Sequence, residues 1–220
     1  MGDFVKKNKW TLVVTSILIL LPIVAGVILW DKLPEQIPFH WGVNGEVDGW
    51  ANKPTAVFLM PAIMLAVQWV CVIATTLDPK GKNAASSKLM GFVLWIIPLL
   101  NILLHVMVYL AAFGREINAG VVLPLVFGAM FVMMGNYLPK CRQSYTVGIK
   151  LPWTLNDEEN WNATHRLAGK LWVAGGLLVM PCALLKPEIG FVVMMVITAL
   201  MCAIPTIYSY RYYRTHKTEE

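Results

Sequence analysis

The sequence predicts an all-α integral membrane protein with six transmembrane helices and both termini in the cytoplasm. Of its 220 residues, 57% are hydrophobic and 14% are charged, and the mean hydropathy is +0.60. Soluble domains are only about half apolar and carry about a quarter charged residues. The loops between the apolar runs hold too few polar residues to cover a soluble core of this size, which favours a membrane protein.

Six apolar runs reach the roughly 17 to 25 residues that a helix needs to cross the hydrocarbon core. The first follows several lysines, as a signal peptide would, but it exceeds a typical h-region and lacks a convincing Ala-x-Ala site, so we interpret it as a retained span. Only the fifth run contains a charged residue, Lys170, which lies in its first turn where a lysine can snorkel. The runs cover residues 10–30, 55–77, 89–113, 121–138, 167–185 and 189–208.

The distribution of basic residues predicts the orientation. Fourteen of the 18 Lys and Arg residues lie in the N-terminal tail, the second loop, the fourth loop with its boundary at Lys170, and the C-terminal tail. The positive-inside rule assigns these segments to the cytoplasm. Because this topology accounts for the net charge of +5, we expect contacts with membrane lipids and no direct binding of nucleic acid.

We expect no enzymatic activity, no catalytic residue and no cofactor. The spans contain no acidic residue, and no nucleophile, base and orienting group occur together. Of the four cysteines, Cys141 lies in a predicted cytoplasmic loop and the others lie in spans, without the spacing of a disulfide framework or a metal site.

The first long loop, residues 31–54, is predicted to be a compact, turn-rich module on the outer face. Asn-Gly and Asp-Gly pairs are strong turn signals, and prolines favour extended chain. His40, Glu46 and Asp48 could bind a divalent cation, but their spacing matches no established motif, so a hydrogen-bonded loop without metal is favoured. The tryptophans could instead belong to an interfacial aromatic belt. The candidate outer-loop binding residues are His40, Trp41, Asn44, Gly45, Asp48 and Trp50.

The second long loop, residues 139–166, is predicted to be cytoplasmic and to end in an amphipathic helix. That helix begins at about residue 156, because Asp157 and the two following glutamates suit a helix N-terminus. Trp161, His165 and Trp172 recur on one of its faces as it enters the fifth span. An aromatic belt is again the alternative for the tryptophans.

The two long loops are weakly similar to each other. Trp41, Asn44 and Glu46 are matched 112 residues later by Trp153, Asn156 and Glu158. Three spans per half would make the second half an inverted copy of the first. Each span contains one proline, but the proline positions do not correspond. An inverted 3+3 repeat is therefore a hypothesis.

Two segments carry a specific resemblance to a known family. The inner segment, GNYLPKCRQSYTVGIKLPWTLNDEENWNATHRLAGK, closely resembles the signature of the SdpI family of bacterial immunity proteins. The outer segment, LPEQIPFHWGVNGEVDGWANK, resembles the loop module that accompanies it. The chain departs from the usual pattern at Ser144, Lys150 and Leu151. The matching cytoplasmic residues include Asn136, Tyr137, Pro152, Trp153, Thr154, Trp161, Thr164 and His165.

The resemblance implies a plasma-membrane protein that protects a bacterium from a secreted, membrane-active peptide toxin. The expected partners are the toxin on the outer face and a cytoplasmic transcriptional repressor held at the membrane when toxin is present. A secondary transporter or lipid flippase with an inverted repeat is the alternative.

The third span carries a polar stripe formed by Asn101, His105 and Tyr109, and Gln68 of the second span could face it. A polar residue inside the membrane is a candidate functional site. One interpretation is a cavity floored by His105 beneath the outer loop, open to a toxin segment or a lipid head group. The other is hydrogen bonding between helices.

Overall fold

The computed structural model describes residues 2–80, 88–115 and 117–217 and contains six helices long and apolar enough to cross a membrane. The prediction of a six-span, multi-pass membrane protein is confirmed. The chain forms two compact units. Unit 1 comprises Met1–Leu77 and Met90–Asn118, and unit 2 comprises Asp78–Leu89 and Ala119–Glu220. Part of the predicted second loop, residues 81–87, lies outside the described residues.

The helices follow the predicted runs closely. Short 3₁₀ segments cover Trp30–Lys32, Leu138–Lys140 and Met180–Leu184, and a π-helical turn, Thr55–Leu59, leads into the second helix. The helices are α1 (Gly2–Ile28), α2 (Met60–Leu77), α3 (Lys88–Ala112), α4 (Ala119–Tyr137), α5 (Pro152–Asn156), α6 (Glu158–Val179) and α7 (Pro187–Lys217).

The fifth span begins earlier than its apolar run, because the predicted amphipathic helix is continuous with it in α6. The Asp157 carboxylate accepts hydrogen bonds from the backbone N–H groups of Glu159 (2.8 Å) and Asn160 (3.0 Å). These are donors that a helix N-terminus otherwise leaves unpaired. The capped start therefore confirms the predicted beginning of the helix.

The outer loop is not all irregular chain, because it contains two antiparallel strands, β1 (Gln36–Trp41) and β2 (Val47–Asn52). The Asn-Gly turn signal is confirmed: Gly45 adopts a positive φ of 79° between the strands. We call this element the outer hairpin. A lone hairpin is marginal in water, but here Leu33 and Ile37 are buried against the helical part of unit 1. This tertiary packing explains strands that propensity alone did not predict.

Unit 1 is held together by polar bonds to one face of α1. Asn101 Nδ2 donates to the carbonyl of Ile19 (2.9 Å), and the Tyr109 hydroxyl donates to the carbonyl of Pro22 (2.8 Å). A backbone carbonyl oxygen has two lone pairs, so it can accept a side-chain hydrogen bond in addition to its helical one. The two bonds therefore attach α3 to α1.

Unit 2 is held together by close contact between glycines of α4 and α6. A Cβ atom built on Gly176 would lie 2.6 Å from the Gly128 carbonyl oxygen, and one on Gly169 would lie 2.8 Å from the Gly135 carbonyl oxygen. Small residues let two membrane helices approach in this way. The backbone of α6 is thereby fixed against α4, and α6 carries the start of the cytoplasmic site.

Each unit has the same order of elements: a span, a long loop and two further spans. The residues matched between the loops nevertheless differ in secondary structure. Trp41 ends strand β1, whereas Trp153 lies in the short helix α5. The local similarity of the two loops is therefore not a similarity of conformation, and the inverted repeat of the spans stays a prediction.

Candidate functional site

The outer hairpin presents one polar and aromatic face. His40 Nδ1 lies 2.5 Å from Asp48 Oδ1, and both side chains are exposed. Trp50 is 59% exposed. All three side chains are exposed, whereas Ile37 of β1 is buried, and the strand register shifts at His40. We call His40, Asp48 and Trp50 the outer face.

The other predicted outer-loop residues have different positions. Trp41 is half-buried and packs on the apolar cluster around Ile37. Asn44 Nδ2 donates to Glu46 Oε2 (2.9 Å), and with Gly45 it forms the turn. The predicted loop residues thus divide into an exposed face, a packed tryptophan and a turn. Among the described residues, no group of three or more His, Cys, Asp or Glu side chains is arranged to hold a metal ion.

Lys53 lies in the predicted outer module, but its sequence position does not indicate that it is buried. Its side chain is only 8% exposed, and Nζ lies 2.9 Å from Glu35 Oε1 and 3.3 Å from the Trp30 carbonyl oxygen. The ammonium group also lies 5.3 Å from the centroid of the Trp30 ring. A buried cation needs such partners. Lys53 therefore ties the end of the outer hairpin to the chain that leaves α1.

The polar residues of the third span are packed inside unit 1. Asn101, His105 and Tyr109 are all buried. Gln68 Nε2 donates to Thr15 Oγ1 of α1 (3.0 Å), and the expectation that Gln68 faces the stripe stays a prediction. Hydrogen bonding between helices, the second interpretation, therefore occurs at Gln68, Asn101 and Tyr109.

Three buried acceptors of this region have no hydrogen-bond partner among the described residues: Gln68 Oε1, Asn101 Oδ1 and His105 Nε2. His105 Nδ1 lies 2.8 Å from the Asn101 carbonyl oxygen, so it carries the ring proton and leaves Nε2 as an acceptor. A buried acceptor without a donor costs free energy. Unit 1 thus contains buried polar atoms that could still accept hydrogen bonds.

The second long loop, residues 139–166, which is predicted to be cytoplasmic, folds around a stacked pair of aromatic rings. The rings of Trp161 and His165 lie 4.0 Å apart between centroids, and both side chains are at most 1% exposed. Trp161 Nε1 donates to the Cys141 carbonyl (2.8 Å), and the Ile149 N–H donates to His165 Nε2 (2.9 Å). His165 Nδ1 lies 2.8 Å from the Trp161 carbonyl oxygen. The imidazole is therefore neutral and links Ile149 to α6, while Trp161 links Cys141 to the same helix.

Gly148 is required where the loop crosses this pair. It has a φ of 118°, and an added Cβ would lie 2.6 Å from both His165 Nε2 and the Trp161 ring. A positive φ is accessible to glycine at little cost. A glycine of the quoted motif thus occupies a position where both the backbone conformation and the available space require it.

A second network joins the loop to α7. Trp153 Nε1 donates to Ser209 Oγ (2.7 Å), and Ser209 Oγ donates to Asn160 Oδ1 (3.0 Å). Thr164 Oγ1 donates to the same Asn160 oxygen (3.0 Å). Thr154 Oγ1 accepts from the Leu151 N–H (2.9 Å) and donates to the Ile149 carbonyl (2.8 Å), which closes the turn before α5.

The remaining predicted residues lie at the edge of the loop. Asn136 is exposed and donates to the Val132 carbonyl of its own helix (2.9 Å). The Lys140 ammonium lies 5.5 Å from the Tyr137 ring centroid. Pro152 is exposed at the start of α5, where its missing N–H costs nothing. Most of the signature is therefore buried and determines how the loop folds. The side chains that the loop exposes are others, including Arg142, Tyr145 and Lys150.

Two further residues of this site were not identified from the sequence. Asp78 Oδ2 accepts from the N–H groups of Tyr145 (2.8 Å) and Thr146 (3.0 Å) and from Thr146 Oγ1 (3.0 Å). Lys80 Nζ donates to Gln143 Oε1 (2.5 Å) and to the Leu155 carbonyl (2.9 Å). Only the Asp-Pro pair at the end of a span could have drawn attention to them, since their partners lie more than 60 residues away.

Cys141 is enclosed by this fold. Its side chain is buried, with Sγ 3.5 Å from the Val147 carbonyl oxygen. Burial raises the pKa of the Cys141 thiol to about 11. Since the thiolate is the reactive form, the thiol is unreactive while the loop is folded.

These features define a multi-pass membrane protein in which each unit carries one folded loop. Residues 140–209 match the SdpI/YfhL protein family, and residues 17–65 match a domain of unknown function, DUF1648. The resemblance to the SdpI family inferred from the two motifs is confirmed. Immunity protein SdpI of Bacillus subtilis (strain 168) is 29% identical over 213 residues, which cover 95% of this chain and 97% of the relative. No solved structure is significantly similar to the chain.

Proposed function

We propose that this chain is a membrane immunity protein that protects a bacterium from a secreted, membrane-active peptide toxin. The observation that carries the proposal is the similarity to an immunity protein along nearly the whole of both chains. A relationship over that length includes both loops and all six spans. The family is not one of enzymes, which agrees with the absence of a recognisable catalytic group in the sequence.

The outer face is the part of the chain that we assign to the toxin. His40, Asp48 and Trp50 are exposed on a hairpin whose other side is anchored in unit 1. Aromatic residues on a rigid support contribute strongly to binding a peptide. The positive-inside rule puts this hairpin outside the cell, where a secreted toxin arrives.

We expect the chain to rescue sensitive cells. Expression in a toxin-sensitive bacterium, followed by challenge with a peptide of the sporulation-delaying type, should raise the surviving fraction at least tenfold above an empty vector. An unrelated pore-forming peptide serves as the control and should kill both strains equally. Equal killing by the sporulation-delaying peptide would contradict the proposal.

The finer proposal is that the cytoplasmic loop also signals, by holding a transcriptional repressor at the membrane when toxin is bound. The exposed side chains Arg142, Tyr145 and Lys150 support it, because they offer a basic and aromatic surface on a rigid loop. Toxin should then induce a repressor-controlled reporter gene only in cells that express the chain. Reporter output that does not depend on the chain would contradict the signalling role.

A transporter or lipid flippase remains the second candidate, on one observation. In the part of unit 1 that the structure describes, three buried acceptors have no partner, at Gln68, Asn101 and His105. Polar groups inside a membrane frequently mark the path of a transported substrate. If cells that express the chain at a normal protein level survived the toxin no better than cells with the empty vector, this candidate would be favoured.

A further inference from the structure

The segment that follows α2 is held inside the cytoplasmic loop by side-chain bonds from Asp78 and Lys80. The Asp78 carboxylate is almost completely buried and accepts four hydrogen bonds, three of them on Oδ2 and one from the Lys80 N–H on Oδ1 (2.8 Å). A buried carboxylate is stable only with such donors. Removing it would leave the N–H groups of Tyr145 and Thr146 unpaired at the same time.

Lys80 closes the loop at a second point. Its ammonium group joins Gln143, near the start of the loop, to the Leu155 carbonyl in α5. Gln143 Nε2 in turn donates to the Thr154 carbonyl (2.7 Å). The same ammonium lies 5.7 Å from the centroid of the exposed Tyr145 ring. Lys80, which lies outside the loop, therefore bridges an early and a later part of it.

The N-terminal end of α2 follows the outer hairpin in the chain. Strand β2 ends at Asn52, whose Oδ1 accepts from the Thr55 N–H (2.9 Å) at the π-helical turn that starts this span. The buried Lys53 ties the same point to Glu35 and Trp30. A helix of 18 residues is about 27 Å long, and α2 connects this point of the hairpin to Asp78, the residue that follows the helix in the chain.

We propose that Asp78 and Lys80 are positioning residues which keep the cytoplasmic loop folded, and that through them α2 couples toxin binding at the outer hairpin to the state of that loop. The second half of this inference rests on the proposed function. The first half does not, since it concerns only the fold of unit 2. An opened loop would expose Tyr145 and its neighbours differently to a cytoplasmic partner.

Cys141 provides a built-in reporter for the state of the loop. In a background with Cys71→Ser, Cys182→Ser and Cys202→Ser, it is the one remaining thiol. Its reaction with N-ethylmaleimide in native membranes should be slow in this background. Asp78→Ala should accelerate the reaction at least tenfold, and Lys80→Met should accelerate it to a smaller extent.

Asp157→Ala is the matched control, because Asp157 also pairs two backbone N–H groups of unit 2 but contacts no residue of the 143–146 segment. It should leave the Cys141 rate within about twofold of the background. An unchanged rate in Asp78→Ala, or an equal acceleration in Asp157→Ala, would overturn the positioning role.

The coupling is tested by repeating the reaction with the sporulation-delaying peptide added to the outer side. The peptide should change the Cys141 rate at least threefold in the background protein and leave it unchanged in Asp78→Asn. If the chain failed to protect cells from the peptide while the Asp78→Ala effect on the Cys141 rate stayed intact, the proposed function would be contradicted and the positioning role would not. Protection without any change in the Cys141 rate, or the same change in Asp78→Asn, would overturn the coupling.

Discussion

Replacing Gly148 by alanine should destabilise the protein more than any other single methyl group added to a loop. The substitution places Cβ 2.6 Å from both His165 and Trp161 and forces an L-residue to a φ of 118°. The backbone strain costs about 1 kcal/mol, and overpacking a rigid aromatic pair costs about 1 to 3 kcal/mol more. We expect a loss of roughly 2 to 4 kcal/mol and a melting temperature lowered by several degrees in detergent, measured by tryptophan fluorescence.

Gly114→Ala separates the two causes. Gly114 also has a positive φ, of 71°, but an added Cβ meets no atom within 4 Å. It should therefore show the backbone cost alone, about 1 kcal/mol. If the two variants were equally stable, the close packing around Gly148 would be excluded as the reason for its presence.

The second large effect is expected at the contact between α4 and α6. Gly176→Ala would put Cβ 2.6 Å from the Gly128 carbonyl oxygen and 2.8 Å from the Val132 backbone nitrogen. Backbone atoms cannot rotate away as a flexible side chain can, so the helices must separate along the contact. Because small residues are what permits this approach, we expect a loss of about 1 to 3 kcal/mol or more.

Gly91→Ala in α3 is the control for this variant, since an added Cβ there meets no atom within 4 Å. Alanine is the better helix former, so Gly91→Ala should be neutral or slightly stabilising. The melting temperatures of the two variants in the same detergent provide the measurement. A Gly176→Ala protein that melts with the wild type would contradict the close helix contact.

The spans could be predicted from the sequence because run length and the absence of charge are local properties. The fifth span shows the limit of that argument, since α6 begins at Glu158 inside a polar segment. Its start depends on the Asp157 cap and on packing within unit 2. The strands of the outer hairpin depend in the same way on burial of Leu33 and Ile37, which no local pattern specifies.

The sequence identified residues of the candidate sites more successfully than it identified what each of these residues does. The motif identified Trp161 and His165, but only the structure shows that they are buried and stacked on each other. Gln68 was placed with the polar stripe of α3, although its amide group binds α1. Asp78 and Lys80 were not identified, because a bond between residues 63 or more positions apart leaves no trace in a single sequence.

The survival of cells that express His40→Ala/Trp50→Ala is the most direct test of whether the outer face meets the toxin. Both side chains are exposed, so their removal should change stability little. Val43→Ala, at an exposed position between the strands, is the matched control. At equal protein level in the membrane, the double variant should lose at least tenfold in survival under toxin, and Val43→Ala should protect as the wild type does. Full protection by the double variant would contradict the assignment of the outer face to the toxin.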